Sequence, residues 1–246
     1  QVEHAFIIGK ALDSHTFRSS AQQNQLLDSL FFVPTFSVPG ADLPFVMQGN
    51  HLSDPIMAIG RLAVTKPFEI RDYLDKVILQ EQQLSLASQT IGDKAWMKRV
   101  IHNSGGIGGE TGVIRNYTTS MANVLSNNRF GADVHTFYKT SNDPVQISAY
   151  EQILDLLNNG VSIWSIFGHS SAFTVDFDIG QPGAYSNYGR YPLMLIMGCF
   201  SGQCSLNQPS IGERFVNAAD RGAIAYIASV NYSFTDALHS YGRQYY

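Results

Sequence analysis

The chain has 246 residues, of which 44% are hydrophobic and 15% charged, enough apolar material for one large core or two smaller ones. Its net charge is −4 and its Lys and Arg residues form no basic stripe, which argues against a nucleic-acid or polyanion binder. Aromatic residues at 12% argue against disorder, and no apolar run approaches the ~18 residues needed to span a bilayer.

The first residues, "QVEHAFIIGK", lack a basic n-region and a long apolar h-region, so they are not a signal peptide. "AFIIG" at 5–9 predicts a buried strand, and "SSAQQNQLLDSLFFV" at 19–33 a helix running into a strand or loop. Three prolines and a glycine make 33–45 a loop, and "PIMAIGRLAV" at 55–64 is a second strand. A helix follows over 65–83. Thr65 can cap it, Pro67 suits its first turn, and Ile70, Tyr73, Leu74, Val77 and Ile78 fall on one face.

Residues 94–106 read as a strand, beginning near Trp96, that enters a glycine-rich loop. A helix at 116–127, an alternating strand at 133–139 and a helix at 143–160 come next; Asn158, Asn159 and Gly160 stop the last of these. Three apolar strands close the pattern, at 161–167, 192–197 and 222–229, with a helix over 210–222 between the last two. Alternating strands and helices predict an α/β fold with a mostly parallel sheet, and continuous apolar strands predict that both faces are covered. The last three strands should be parallel neighbours. A dip in hydrophobicity near 85–95 divides an N-terminal α/β subdomain, 1–95, from a larger one, 96–246. The ending "SYGRQYY" carries no turn chemistry, so the natural chain is expected to continue past Tyr246.

The strand "VSIWSIF" runs into Gly168-His169-Ser170-Ser171, and "PLMLIM" runs into Gly198-Cys199. Ligands bind beyond the carboxyl ends of strands in open parallel sheets, so neighbouring strands would present an imidazole and a thiol at one rim. That is the arrangement of a thiol nucleophile with its base. The flanking glycines permit tight turns, and backbone N–H groups at Gly168 and Cys199 are the expected oxyanion donors. Taken alone, the histidine also reads as a loop residue and the cysteine as a small core hydrophobe. A Cys199–Cys204 disulfide would close only a small loop. Other motifs fail. Gly168-His169-Ser170-Ser171-Ala172 lacks the last glycine of a nucleophile elbow. "GGIGGETG" has no following Lys-Ser/Thr, and the seven histidines show no zinc-ligand spacing.

The stretches "HLSDPIMAIGRLAV", "EIRDYLDKVI", "NNGVSIWSIFGHSS", "MGCFSGQ" and "GAIAYIAS" together resemble the C25 (gingipain-type) cysteine peptidases, over about residues 5–235. The resemblance implies a caspase-like three-layer α/β/α sandwich, with His169 as base, Cys199 as nucleophile and no cofactor or metal. Sortase-like members of the type IX secretion system look nearest. The family's acidic third residue lies in a glycine-rich loop before the histidine strand. Glu110 is the acid in "NSGGIGGETG" here, hence the expected partner of His169, unless it is a solvated loop carboxylate. Gingipains carry glycine after the histidine, where this chain has Ser170.

The resemblance implies a cysteine peptidase or transpeptidase acting on peptide or protein substrates among exported, cell-surface or secretion-system components. The rival reading is an inactive module that keeps the fold as a binding or scaffold part. Asp176 and Asp178 could supply an acid for a basic substrate side chain, although a surface hairpin with solvated acids is the simpler reading. Asn50, His51, Ser53 and Asp54 suggest either a cation site or, more simply, a turn cap.

Overall fold

The apolar runs that dominate the second half of the sequence become the centre of a five-stranded parallel sheet. In the computed structural model, residues 2–21, 33–48, 55–85, 90–127, 129–147 and 149–246 are described. The sheet strands are β3 (Arg99–Ser104), β4 (Asp133–Tyr138), β5 (Ile163–Phe167), β6 (Leu193–Met197) and β7 (Ala225–Ala228), in the spatial order β4-β3-β5-β6-β7. The last three strands are parallel neighbours, as the sequence predicts, with Phe167 beside Met197 and Ile196 beside Ala228. The chain moves outward from β3 to β4, then crosses back over β3 to reach β5. The carboxyl ends of β3 and β5 therefore flank the point where the winding direction reverses, where the connecting loops diverge and leave a crevice.

Both faces of the sheet are covered because side chains alternate along each strand. Trp164, Ile166, Met194 and Ile196 point to one face, where they pack with Ile153 and Leu157 of α4 (Tyr150–Asn158) and Ile211 and Phe215 of α5 (Ile211–Val216). Phe167, Leu195 and Met197 point to the other, where Ile114 and Met121 of α3 (Glu110–Leu125) and Leu238 of α6 (Thr235–Arg243) meet them. The result is an α/β/α sandwich. Trp164 is fully buried, and its indole Nε1 donates to Asn103 Oδ1 at 2.8 Å, so the one polar atom of the ring is satisfied.

The N-terminal sequence forms a second sheet of two parallel strands, β1 (His4–Ile8) and β2 (Ala58–Leu62), close to the predicted runs. Helix α1 (Ser14–Ala21) follows β1, and most of the helix read at 19–33 lies outside the described residues. Helix α2 (Pro67–Ser85) reaches toward the five-stranded sheet. Its buried Lys76 donates to the carbonyls of Val216 and Ala223 at 3.0 and 2.8 Å, and Gln80 exchanges hydrogen bonds with the backbone of Tyr191. Lys10 after β1 pairs with buried Glu213 on α5.

Several element limits differ from the sequence reading. Trp96 sits in a 3-10 turn, Ala95–Lys98, and the strand starts only at Arg99. Helix α3 starts at Glu110, not 116. Helix α4 starts at Tyr150, not 143, because the backbone of Gln146 pairs with the segment around Phe177 instead of coiling. Helix α5 is short. A Ser210–Glu213 capping box opens it, and Asn217 ends it with a side-chain bond to Ala63 O.

Beneath the rim of β3, His102 is 1% exposed, with Nε2 3.1 Å from the Tyr246 hydroxyl. Burial pushes its pKa down to about 4. An unfolded histidine titrates near ~6.5, so the folded state binds fewer protons between those values. Stability from this group should be complete above pH ~6.5 and lost as the pH falls toward 4, by roughly 3 kcal/mol. Urea unfolding of the wild type and His102→Phe over that range should show the variant losing less stability on acidification; identical acid limbs would contradict this.

Candidate active site

Three of the parallel strands end on glycine. Gly105 N donates to Phe167 O at 2.7 Å and Gly168 N donates to Met197 O at 3.1 Å, which carries the ladder one residue beyond β3 and β5. The chain then turns away at each position. His169 and Cys199 follow the register partners Phe167 and Met197 by the same two positions, so both emerge at one end of adjacent strands.

Glu110 arrives at this end from β3. It stands at the first position of α3, after a turn through Gly108 at φ 59°, and not in a loop as the sequence suggested. A carboxylate is favoured there by the unpaired N–H groups of the first helical turn. Its Oε2 lies 3.1 Å from His169 Nε2, and both side chains are about half exposed. With Nε2 facing Glu110, the ring presents Nδ1 as the nitrogen left to accept a proton.

Cys199 is partly exposed, and its thiol donates to Ser233 O at 3.7 Å. The turn that carries it is tied to the histidine turn: Ser170 Oγ donates to Cys199 O at 2.7 Å. A side chain at Gly198 would collide with that hydroxyl and with Gly168 O, so the glycine is required by the close approach of the two turns. The next residue, Phe200, has φ 58°, a left-handed conformation that costs a bulky residue about 1–3 kcal/mol. Its N–H donates to Asn231 O, and its ring packs edge-on against Tyr232 at 4.4 Å.

Asp176 departs most from the sequence reading. It is neither a specificity acid nor a solvated hairpin residue; it is 1% exposed. Oδ2 accepts hydrogen bonds from Gly106 N and His169 N, both at 2.8 Å, and Oδ1 lies 3.0 Å from Nζ of buried Lys139. A Cβ at Gly105 or at Gly168 would strike Oδ2. Asp178 accepts instead from Gly180 N at 2.9 Å, within its own loop. Sequence reasoning missed Asp176 and Lys139 as parts of this rim, and the bond from Ser170 to Cys199 O. Lys139, a cation at the end of the alternating strand, was the one signal present.

The oxyanion assignment needs a correction. Gly168 N–H is consumed by Met197 O and His169 N–H by Asp176, so neither points at a substrate; no described residue accepts from the Cys199 N–H. Cys204 belongs to a different environment: burial, with Glu213 and Asp42 nearby, raises its thiol to about 11. Both cysteines are free. A cavity of about 700 Å³ runs from Met197 and Ser233 to Phe234, Leu238 and Tyr241. Asp42, the acid among its described lining residues, is already held by Arg61 through two 2.6 Å contacts. Asn50, His51, Ser53 and Asp54 lie outside the described residues. Among the described residues, no cluster of three or more His, Cys, Asp or Glu side chains is arranged to hold a metal, and no helix is long and apolar enough to cross a membrane.

A five-stranded parallel sheet between two helical layers, with a thiol, an imidazole and an acid at its carboxyl rim, defines a caspase-like α/β/α scaffold. The model of peptidase family C25 matches residues 1–246, and the chain belongs to that family. Its fold is similar to that of the Arg-specific cysteine proteinase gingipain R (RgpB), with a TM-score of 0.70 and 15% identity over 100% of this chain and 54% of that one. It is similar as well to the complex of Porphyromonas gingivalis RgpB pro- and mature domains, with a TM-score of 0.71 and 17% identity over 99% and 54%. A third structure, described as a protease, gives a TM-score of 0.69 and 18% identity over 95% and 60%. The chain thus spans little more than half the length of these structures. No curated protein matches it in sequence.

The two thiols should differ sharply toward iodoacetamide. At pH 7.5 Cys199, partly exposed, should be alkylated at least ~10-fold faster than Cys204, whose thiolate is scarce at that pH. Peptide mapping by mass spectrometry measures both; equal rates would contradict the environments described.

Proposed function

We propose that this chain carries the catalytic centre of a cysteine-type peptidase, and the observation that supports it most directly is the Glu110–His169 contact beside the Cys199 turn. In this reading Glu110 holds Nε2 and fixes the tautomer, so that Nδ1 takes the proton from the Cys199 thiol. The thiolate attacks a peptide carbonyl, and the imidazolium returns the proton to the departing amine. The product of that half-reaction is a thioester on Cys199. Water resolves it in hydrolysis, and an amine resolves it in transpeptidation. The Cys199 N–H is the donor left for the oxyanion. The neighbouring cavity offers an apolar wall for a substrate side chain. Export to the cell surface, protein substrates and a link to type IX secretion rest on the family resemblance alone.

A second reading draws on a specific observation. The Gly168 N–H is unavailable, which takes one expected donor from the oxyanion site and favours a binding or scaffold module that keeps the fold without turnover. Turnover of a fluorogenic peptide library, varied at the residue before the scissile bond, separates the two.

Cys199→Ala should abolish cleavage, and Cys204→Ala should leave most of it. Glu110→Gln should keep the fold and lower kcat by about 10-fold to 10⁴-fold, the range expected when a general base loses its orienting partner. Activity that survives Cys199→Ala would refute the mechanism.

A further inference from the structure

The proposed reaction gives Asp176 no chemical role, yet this acid is more deeply engaged than any other on the rim. We propose that Asp176, backed by Lys139, is a positioning residue that sets Glu110 and His169 in line, an inference that rests on the peptidase reading above. A single oxygen, Oδ2, accepts from both Gly106 N and His169 N at 2.8 Å. It therefore joins the loop after β3 to the turn after β5. Glu110 leaves the first of these four residues beyond Gly106, and His169 is itself the second contact. The spacing between acid and imidazole is fixed through that one atom.

Three further observations point the same way. The space for Oδ2 exists only because residues 105 and 168 are glycines; a Cβ at either would displace it. The carboxylate is anchored from behind. Lys139 Nζ lies 3.0 Å from Oδ1, Lys139 N donates to Ser104 O at 2.8 Å, and Asp176 O accepts from Gln146 N at 2.9 Å. Finally, Asp176 and Lys139 are 1% and 3% exposed, and an ion pair so deeply buried adds little stability over an apolar pair of similar volume, because both charges lose their water. Fold stability alone therefore does not account for a charged pair at this place. A pair that specifies one arrangement of two loops does.

The test compares the wild type with Asp176→Asn and with Asp176→Asn/Lys139→Gln, under conditions where circular dichroism and urea titration show each to be folded. The paired variant keeps an acceptor for the two N–H groups and gives the new amide a neutral partner. Asp176→Asn should lower kcat by at least about 10-fold with KM within about 2-fold, the mark of a misaligned base rather than a lost binding contact. Iodoacetamide labelling of Cys199 should slow, and the ¹⁵N imidazole spectrum of His169 should shift from one dominant tautomer to a mixture. The paired variant should recover part of each. A folded Asp176→Asn with wild-type kcat, labelling rate and imidazole spectrum would overturn the proposal. So would failure of both variants to fold, since the pair would then hold the fold and not align the site. If the wild type and Cys199→Ala are equally inactive on peptides, the peptidase reading fails instead, and the labelling and imidazole measurements still decide the role of Asp176.

Discussion

The rim of the sheet is organised around the volume of one carboxylate oxygen. Oδ2 of Asp176 stands where side chains at 105 and 168 would stand, and it takes the N–H groups that the strand ends leave unpaired at 106 and 169. Buried backbone donors have to find a partner. A carboxylate with a lysine behind it satisfies both donors and its own charge. The glycines at 105 and 168 follow from that accommodation.

Topology does the rest. Because β3 is inserted between β4 and β5, the loops that follow Ser104 and Phe167, 63 residues apart in sequence, leave the sheet side by side. The thiol comes from the next strand over. Ser170 closes the set by donating to Cys199 O, so the serine that stands where gingipains carry glycine has a structural role, linking the histidine and cysteine turns. Membership of peptidase family C25 fits this layout, and the likeness to RgpB structures shows the fold.

The strands at 161–167 and 192–197 were legible because a strand buried on both faces is written as a predominantly apolar run, broken here only by Ser162 and Ser165. His169 and Cys199 were legible because each directly follows such a run and a glycine. The start of α3 was not, since "GGIGGETG" spells a loop until the helix begins at Glu110. The start of α4 was missed for a different reason: Val145 and Ala149 continue a helical pattern, while the backbone of Gln146 is claimed by the segment around Phe177, a competition that no local window contains. Asp176 was the least legible. Its letters spell a solvated hairpin, and its partner Lys139 is 37 positions away.

Phe200 shows what the sharp turn after Cys199 entails. Its left-handed backbone is a conformation that glycine or asparagine adopts with little penalty, and a large aromatic residue holds it only because Asn231 and Tyr232 restrain the amide and the ring. Replacing it with glycine would relieve the backbone strain and forfeit the ring contact with Tyr232. Backbone strain and side-chain packing are thus opposed at a single residue, and the outcome of any substitution there is set by which of the two it changes more.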